Sequence, residues 1–471
     1  MITVPRSILK RFRTLCRRGG LHKYRASNGP VVTLIGGSAG YRIHAVSPDL
    51  AIEYRHSDAC DAETIRLPLD ALEACEGRDD EPVVIEARSG GSATLSWGDR
   101  GVPRQSEVEQ PQPGTIDFPG TPTTFTPNEP GLWPALRDAV ATTDESSTRY
   151  ALGCLHLRGK IGRIDATDGR HILSQTGFQF GFDEDVLVPA SKILGCRDLD
   201  LSEDVAVGRS GEWIGFGLGQ TLVMLRVQKE GRFPKIDEII PTPERAPSRL
   251  ELSARDAVFL RDVIQRLPSN DPQHAPVTLD LNGKVLIRSR DAEQSRPTEV
   301  ELTSSSLHGD PVLLNTDRRY VERALRLGFR EAHIYGPNSP VLCRDDRRRF
   351  LWALLGVDSA IPRSDDPIRI ESSTVSVSIP RTRKHSEPAM SVQNLPPVVA
   401  NEPAKPVHRI KRPCSVTKSG PIEQAIALRD ALRNTTSVAH QLVRALKQRQ
   451  RQNRIVESTL ASLKQLQKVA G

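Results

Sequence analysis

The chain has 471 residues, more than one hydrophobic core usually serves, so its length predicts about two to four domains. No apolar run approaches the roughly 20 residues needed to cross a bilayer, which argues against a membrane protein. Residues 359–471 carry 19 Lys and Arg against 8 Asp and Glu, a net charge of +11, so the total of +7 leaves −4 for residues 1–358. Nucleic-acid binding by this acidic body therefore has to depend on where its basic residues lie.

The N-terminal segment, residues 1–20, is too highly charged for a secretory signal, and we expect a cytoplasmic protein. The seven cysteines are scattered, and none has the CxxC spacing of a zinc or redox site. The histidines likewise lack HxxxH or HExxH spacing. We therefore expect a reducing compartment and neither a cofactor nor a metal.

A pattern of helices and strands recurs three times along the first 357 residues. Amphipathic helices are predicted over residues 6–18, 132–143 and 253–267. About 60 residues after the start of each, an apolar strand runs directly into a second predicted helix, and the turning points are Pro68, Pro189 and Asn315. Glycine-containing pairs of strands follow. The pattern predicts an α+β protein with three copies of one unit, each with two helices and antiparallel strands.

Composition sets the expected limits of these units. A proline-rich stretch over residues 103–130 and another over 239–249 are typical of linkers, which gives domains over 1–117, 118–245 and 246–357. Residues 358–420 are rich in Pro, Ser and Val without periodicity and are predicted to be disordered. A helix is predicted over 421–470, either in a coiled coil or as a lone amphipathic helix, because three polar residues interrupt its heptad seam.

Two of the predicted helices carry basic residues at the same spacing. Steps of 4, 3 and 4 separate Arg6, Lys10, Arg13 and Arg17, and the same steps separate Arg319, Arg323, Arg326 and Arg330. For one helix, an ordinary solvated face explains such a row. Its recurrence in two units favours contact with a phosphate backbone without sequence readout.

The stretch "ATDGRHIL", residues 166–173, places Thr-Asp-Gly between two apolar runs. Taken alone, Asp-Gly is the commonest signal for a hairpin turn and predicts nothing more.

Three segments together resemble one protein family. They are "TRYALGCLHLRGKIGRIDATDGRHIL" (148–173), "GRFPKIDEIIP" (231–241) and "LLNTDRRYVERAL" with "SPVLCRDDRRRFLWALLG" (313–356). The sequence is similar to the bacterial DNA sliding clamps, the beta subunits of DNA polymerase III. The resemblance implies a non-catalytic processivity factor of DNA replication, a ring-shaped homodimer assembled head to tail around double-stranded DNA.

The resemblance also implies partners and site residues. Short linear motifs of the DNA polymerase III catalytic subunit, the clamp loader and repair polymerases would bind a cleft between the second and third domains. By position, that cleft would be lined by Leu152, Thr167, Gly169, Arg170, His171, Ile172, Pro241, Leu351, Trp352, Leu354 and Leu355. Arg149 and Tyr150 match family positions that contact DNA.

The sequence departs from the family at three places. The order Arg170-His171 is inverted, the acidic "KIDE" (235–238) replaces Tyr and Arg, and "WALLG" (352–356) replaces the usual ending. These departures leave a second hypothesis open, in which a clamp-like scaffold does not encircle DNA and its basic tail binds nucleic acid or protein. The tail is otherwise explained as a solubilising extension.

An enzyme is the remaining class of function. Asp165, Asp168 and His171 are residue types that serve as acids and bases, but no nucleophile motif, P-loop or dinucleotide fingerprint accompanies them. We therefore expect no catalytic site.

Overall fold

The computed structural model describes residues 1–24, 30–113, 116–146, 151–197, 199, 204–269, 271, 274–291 and 293–373. Arg149, Tyr150, most of the segment predicted to be disordered (358–420) and the predicted helix over 421–470 lie outside this range. Within it, no helix has the length and apolar character needed to span a membrane.

Five α-helices occur in the described part of the chain: α1 (Arg6–Arg18), α2 (Leu72–Cys75), α3 (Leu132–Val140), α4 (Ala254–Val263) and α5 (Arg318–Arg326). Helix α1 has the predicted bounds. Its fully buried stripe of Leu9, Phe12 and Cys16 follows the helical repeat, which is why this segment forms an amphipathic helix. The Ser253 hydroxyl accepts a hydrogen bond from the Asp256 amide and caps the start of α4.

The predicted second helices differ between the three units. After Pro68 the helix is short, residues 190–197 form turns, and a full helix, α5, follows only in the third unit. The prediction of a helix start at Asn315 is also wrong. Asn315 is buried within a strand, where it accepts a hydrogen bond from Thr278, and Asp317 caps α5 by accepting from the Arg319 amide. Asp317 supplies the carboxylate that a cap requires just before the helical residues.

The strands fall into three groups along the chain. The first group is β1 (Ile2–Pro5), β2 (Val31–Gly37), β3 (Gly40–Val46), β4 (Leu50–His56), β5 (Thr64–Pro68), β6 (Pro82–Ala87), β7 (Ser92–Asp99) and β8 (Val102–Glu109). The second is β9 (Thr126–Asn128), β10 (Cys154–Arg158), β11 (Arg163–Thr167), β12 (His171–Thr176), β13 (Asp185–Pro189), β14 (Val205–Ser210), β15 (Trp213–Leu218) and β16 (Thr221–Arg226).

The third group is β17 (Ser248–Glu251), β18 (Pro276–Leu281), β19 (Leu286–Ser289), β20 (Thr298–Glu301), β21 (Ser306–Gly309), β22 (Val312–Asp317), β23 (Glu331–Ile334), β24 (Val341–Arg344), β25 (Arg348–Trp352) and β26 (Ile368–Glu371). Strands β8 and β26 correct two expectations. Residues 103–109 belong to a hairpin with β7 rather than to a linker, and the predicted disorder from residue 358 does not apply to β26, which joins a sheet.

The strands form four sheets, and their order repeats. The sheets are β1-β6-β7-β8, β5-β2-β3-β4-β16-β15-β14-β9, β13-β10-β11-β12-β25-β24-β23-β17-β21 and β22-β18-β19-β20-β26. Each group thus supplies one four-stranded set of the same topology: β5-β2-β3-β4, β13-β10-β11-β12 and β22-β18-β19-β20. Strand β16 at the end of the second group and strand β25, which precedes β26 in the third, each pair with the preceding group. The three-unit α+β architecture predicted from the sequence is confirmed.

Two joints connect the units by antiparallel pairing of edge strands. Strand β16 pairs with β4, and β25 pairs with β12. Each joint therefore continues a four-stranded set into strands of the next group, which gives one sheet of eight strands and one of nine with main-chain hydrogen bonds across the boundary. At the second joint Phe350 is fully buried in the apolar core of the third unit.

We expect Phe350→Ala to lower the free energy of unfolding by about 3–5 kcal/mol, because it leaves a cavity in a packed core. Ile161→Ala is the matched control, since the Ile161 side chain is 50% exposed. Urea unfolding followed by circular dichroism measures both. Similar unfolding midpoints for the two variants would contradict this account of the joint.

Candidate nucleic-acid and partner interfaces

Two of the four basic residues predicted to line α1 are buried in ion pairs. Arg6 Nη1 lies 3.3 Å from Asp79 Oδ2, and its Nε donates to the Cys75 carbonyl at 3.1 Å. Arg13 pairs with Glu76 at 3.2 Å and also with Glu73. The expectation of four exposed charges in this row is wrong, because the acidic segment that follows β5 covers Arg6 and Arg13.

The rest of the α1 row is accessible. Arg17 is exposed, Lys10 is half-buried, and neither makes an ion pair with the described residues. Arg11 is exposed in the same helix and was missed, because it does not follow the 4, 3, 4 spacing. The free positive charge of α1 therefore comes from Lys10, Arg11 and Arg17.

In the second row, three of the four arginines have carboxylate partners. Arg319 bonds to Asp317, Arg326 pairs with Glu322 one turn earlier at 2.6 Å, and Arg323 Nη2 lies 3.3 Å from Asp138 Oδ1. The Arg323 pair connects α5 to the end of α3. Arg330 is exposed and makes no ion pair in the part of the chain that the structure describes.

The Thr-Asp-Gly segment forms the hairpin turn between β11 and β12. Asp168 Oδ1 accepts hydrogen bonds from the amides of Arg170 at 2.7 Å and His171 at 2.9 Å, and it lies 2.8 Å from His171 Nδ1. Gly169 has a φ of +88°, which favours glycine. Burial alone would raise the pKa of Asp168, but its hydrogen bonds from His171 and the amides outweigh burial and lower it. The carboxylate thus holds the turn together.

The second joint separates the predicted cleft residues onto two faces. His171 lies opposite Trp352, and Ile172 lies opposite Leu351. Because neighbouring strand residues point to opposite faces, the two pairs cannot share a face. Ile172 and Leu351 are buried in a small cluster with Phe233, whereas Trp352 lies in the core of the third unit. The cleft stays a prediction, but His171 and Trp352 lie on the opposite face of the joint from Ile172 and Leu351.

The other predicted cleft residues have separate surroundings. Leu152 is buried beside the turn, Leu354 packs against the core of the third unit, and the Leu355 amide donates to the Asn315 carbonyl at 2.7 Å. Thr167 is buried, and its hydroxyl donates to the His171 carbonyl at 2.7 Å. The accessible part of the set consists of Gly169, Arg170, Pro241, Leu354 and Leu355, of which the first two are exposed.

The acidic "KIDE" segment is bound to the sheet by arginines. Asp237 Oδ2 accepts from Arg158 at 2.7 Å and from Arg163 at 2.9 Å. Arg163 also donates to the buried Asp165 at 2.9 Å. The hydrogen bond from Arg163 lowers the pKa of Asp237, whereas burial raises the pKa of Asp165. This network is one that sequence reasoning missed, since its members are distant along the chain.

These contacts offer no support for acid–base chemistry. Asp165 bonds to Arg163, and Asp168 bonds to the turn, so the two carboxylates serve separate structural contacts. In the described residues, no group of three or more His, Cys, Asp or Glu side chains is arranged to hold a metal ion.

Comparisons with known proteins identify the fold. No family model matches the sequence, and no curated protein does. Among solved structures, the DNA polymerase III subunit beta of Pseudomonas aeruginosa is 18% identical with a TM-score of 0.60, covering 75% of this chain and 99% of that one. The beta chain of Streptococcus pneumoniae is 15% identical with a TM-score of 0.61 and the same coverage. The beta subunit of Thermotoga maritima is 14% identical with a TM-score of 0.61, covering 76% and 99%.

The protein therefore has the fold of the DNA polymerase III beta subunits along nearly their whole length. The likeness inferred from the sequence is confirmed for the fold.

We expect Asp237→Asn to lower the free energy of unfolding at pH 7 by about 1 kcal/mol, since Arg158, Arg163 and Arg349 lose a charged partner in a half-exposed site. The folded-state pKa of Asp237 is lowered. The stability that its ion pairs add to the folded protein is therefore complete above the unfolded-state pKa, about 3.9, and is lost as the pH falls through the folded-state pKa.

The difference in urea midpoint between wild type and Asp237→Asn should therefore shrink between pH 7 and pH 3. Asp346→Asn is the matched control, because Asp346 is exposed and makes no ion pair with the described residues. A difference that is unchanged at pH 3 would contradict the ion-pair explanation.

Proposed function

We propose that this protein is a DNA sliding clamp of the DNA polymerase III beta type. In this proposal, two copies form a head-to-tail ring around double-stranded DNA and keep a DNA polymerase on its template, and the chain itself catalyses no reaction. The observation that carries the proposal is the recurrence of one strand topology in three units connected by two equivalent joints. Six such units close a ring when two copies meet by the same kind of contact.

The domain limits proposed with this function are those expected from the sequence: 1–117, 118–245 and 246–357. The structural match supports this three-domain arrangement, since it covers 99% of the Pseudomonas aeruginosa beta subunit. The protein would act in the cytoplasm, where chromosomal DNA is replicated in bacteria.

The proposed DNA contact is electrostatic. Lys10, Arg17 and Arg330 are free to bind phosphate, and Arg319 and Arg326 are exposed although each has an acidic neighbour. Arg149 and Tyr150 complete the proposed set by position in the sequence. Contacts of this kind hold a phosphate backbone loosely and read no sequence, as a mobile tether requires.

The proposed partner site is the exposed rim of the second joint. Arg170 stands at the turn, and Pro241, Leu354 and Leu355 add partly exposed apolar surface. Short linear motifs of the polymerase, the clamp loader and repair polymerases would bind here. Because Ile172, Leu351 and Trp352 are buried, the bound motif would rest on the rim.

A scaffold that does not encircle DNA is the second candidate. The observation that favours it is the pairing of Arg6 and Arg13 with acidic side chains, which removes two charges from the proposed DNA-facing row. In that case the basic tail, including the helix proposed over residues 421–470, would bind nucleic acid or protein.

The first test measures retention on nicked circular duplex DNA after loading by the cognate clamp loader, before and after the circle is linearised. We expect the protein to stay on the circle and to leave the linear form at moderate salt, because only a ring is held topologically.

A chain ending at residue 373 controls for electrostatic binding by the tail, and it should behave like the full chain. Equal retention on both DNA forms would favour the scaffold, and so would failure to bind either form.

The second test concerns the partner site. We expect Arg170→Glu to weaken binding of the cognate polymerase by about three- to tenfold, since reversal of a rim charge mainly slows association. Arg42→Glu, an exposed arginine in β3 of the first unit, is the control. Surface plasmon resonance with the full-length clamp immobilised measures both, and equal affinities would place the partner elsewhere.

A further inference from the structure

The sheet of the third unit has one strand more than the equivalent sets in the first and second units. Strand β26 lies parallel to β20, with Thr298 opposite Ile368 and Glu301 opposite Glu371. It belongs to residues 357–373, here called the edge segment, which follow the third unit. The Ile368 amide donates to the Pro297 carbonyl at 2.9 Å, and the Ser372 amide donates to the Glu301 carbonyl at 3.0 Å.

The repeated topology predicts a different partner strand for the outer edge of β20. Strand β16, the last of the second unit, pairs with β4 of the first, and β25, the last of the third, pairs with β12 of the second. Strands β4, β12 and β20 hold equivalent places in their four-stranded sets. The same rule would pair the last strand of the first unit, β8, with β20. Within one chain β8 and β20 lie in different sheets, so this third joint requires a second copy.

Strand β8 has the features of an available edge. It is the outermost strand of its sheet and pairs with β7 on one side. In an antiparallel pair, every second residue of a strand bonds to its neighbour through its main-chain groups. The Gln110 amide, just after β8, bonds to the Gly91 carbonyl, so the even-numbered residues of β8 bond to β7. The amides of odd-numbered residues such as Gln105 therefore point away from β7. Pro103, which has no amide hydrogen, occupies one of these outward positions.

The edge segment and β8 cannot occupy β20 together, because both need the outward main-chain groups at Pro297, Glu299 and Glu301. We propose that the edge segment is an intramolecular competitor of ring closure: β26 covers the surface that strand β8 of a second copy requires, and it must leave before the ring closes. This inference rests on the proposed head-to-tail dimer.

The contacts of the edge segment fit reversible displacement. Its first part is firmly held: Ile361 is 8% exposed, its amide donates to Thr278 Oγ1 at 2.8 Å, and its carbonyl accepts from Arg288 at 3.1 Å. Strand β26 is more exposed than this first part, since Ile368 is 43% exposed and Arg369 lies 3.6 Å from Glu299. At its end Ser372 is buried, and its hydroxyl accepts a hydrogen bond from the Thr303 amide at 3.0 Å. Release of residues 366–373 therefore has to break these contacts, while Ile361 remains in place.

The test compares two proline variants of the full-length protein. Ile370→Pro removes an amide that points toward β20, because Ile368 and Ser372 on either side both donate to that strand. Arg369→Pro is the control for proline itself, since its amide points away, and Arg369→Ala measures the loss of the Arg369–Glu299 ion pair alone. We expect the dissociation constant of the dimer, measured by sedimentation velocity, to fall about tenfold for Ile370→Pro and to be the same for Arg369→Pro as for Arg369→Ala.

A second pair of measurements covers the possibility that proline disturbs folding. Val300→Cys combined with Ile370→Cys places two thiols at opposite positions of neighbouring strands, within the Cα separation that a disulfide spans. Oxidation should fix β26 in place and weaken the dimer, and reduction should restore it. Gln105→Pro, which removes an outward amide of β8, should weaken the dimer in every background.

The outcomes separate the two proposals. Equal dimerisation of wild type, Ile370→Pro and the oxidised cysteine variant, with loss in Gln105→Pro, would overturn the competitor role and leave the ring intact. The absence of any dimer in all variants, including Ile370→Pro, would overturn the ring and the competitor together.

Discussion

Antiparallel pairing of edge strands is the interaction on which the rest of the structure depends. At β4 with β16 and at β12 with β25, main-chain hydrogen bonds continue one unit's sheet into the next. Side chains on both faces of the second joint are buried, with Ile172 and Leu351 on one and Trp352 on the other. The joints therefore fix the units in register by main-chain geometry, which explains how the fold persists at 14–18% sequence identity to solved beta subunits.

Charge compensation sets the character of the proposed DNA-facing surface. In α1, Arg6 and Arg13 are neutralised by the acidic segment near residue 76, and in α5 three arginines have acidic neighbours. In the proposed clamp, the loss of these free charges would weaken contact with DNA, as a protein that slides requires. Strong binding would oppose movement along the duplex.

The edge segment links the third unit to the basic tail. In the first two joints the corresponding edge is covered by a strand of the next unit, whereas β20 is covered by β26, which follows the unit that contains β20. An exposed edge strand is a site for unwanted pairing, and covering it protects the separate protomer. In the proposed ring, the same cover would have to leave before assembly, so that protection of the edge and ring closure would compete for one strand.

The sequence by itself determined the repeat, the bounds of α1 and the Asp168–Gly169 turn, because amphipathic periodicity and turn chemistry are local properties. Three of its segments also indicated the likeness to the DNA polymerase III beta subunits, which the structure confirms for the fold. Only the tertiary structure decided that Arg6 and Arg13 are buried, that Asp237 bonds to Arg158 and Arg163, and that neighbouring residues such as Ile172 and His171 face opposite sides of the joint. Strand β26 was likewise beyond prediction, since residues 368–371 acquire their pairing from β20, some 70 residues earlier in the chain. Such contacts depend on which segments meet in space, and helical spacing or composition carries no information about that.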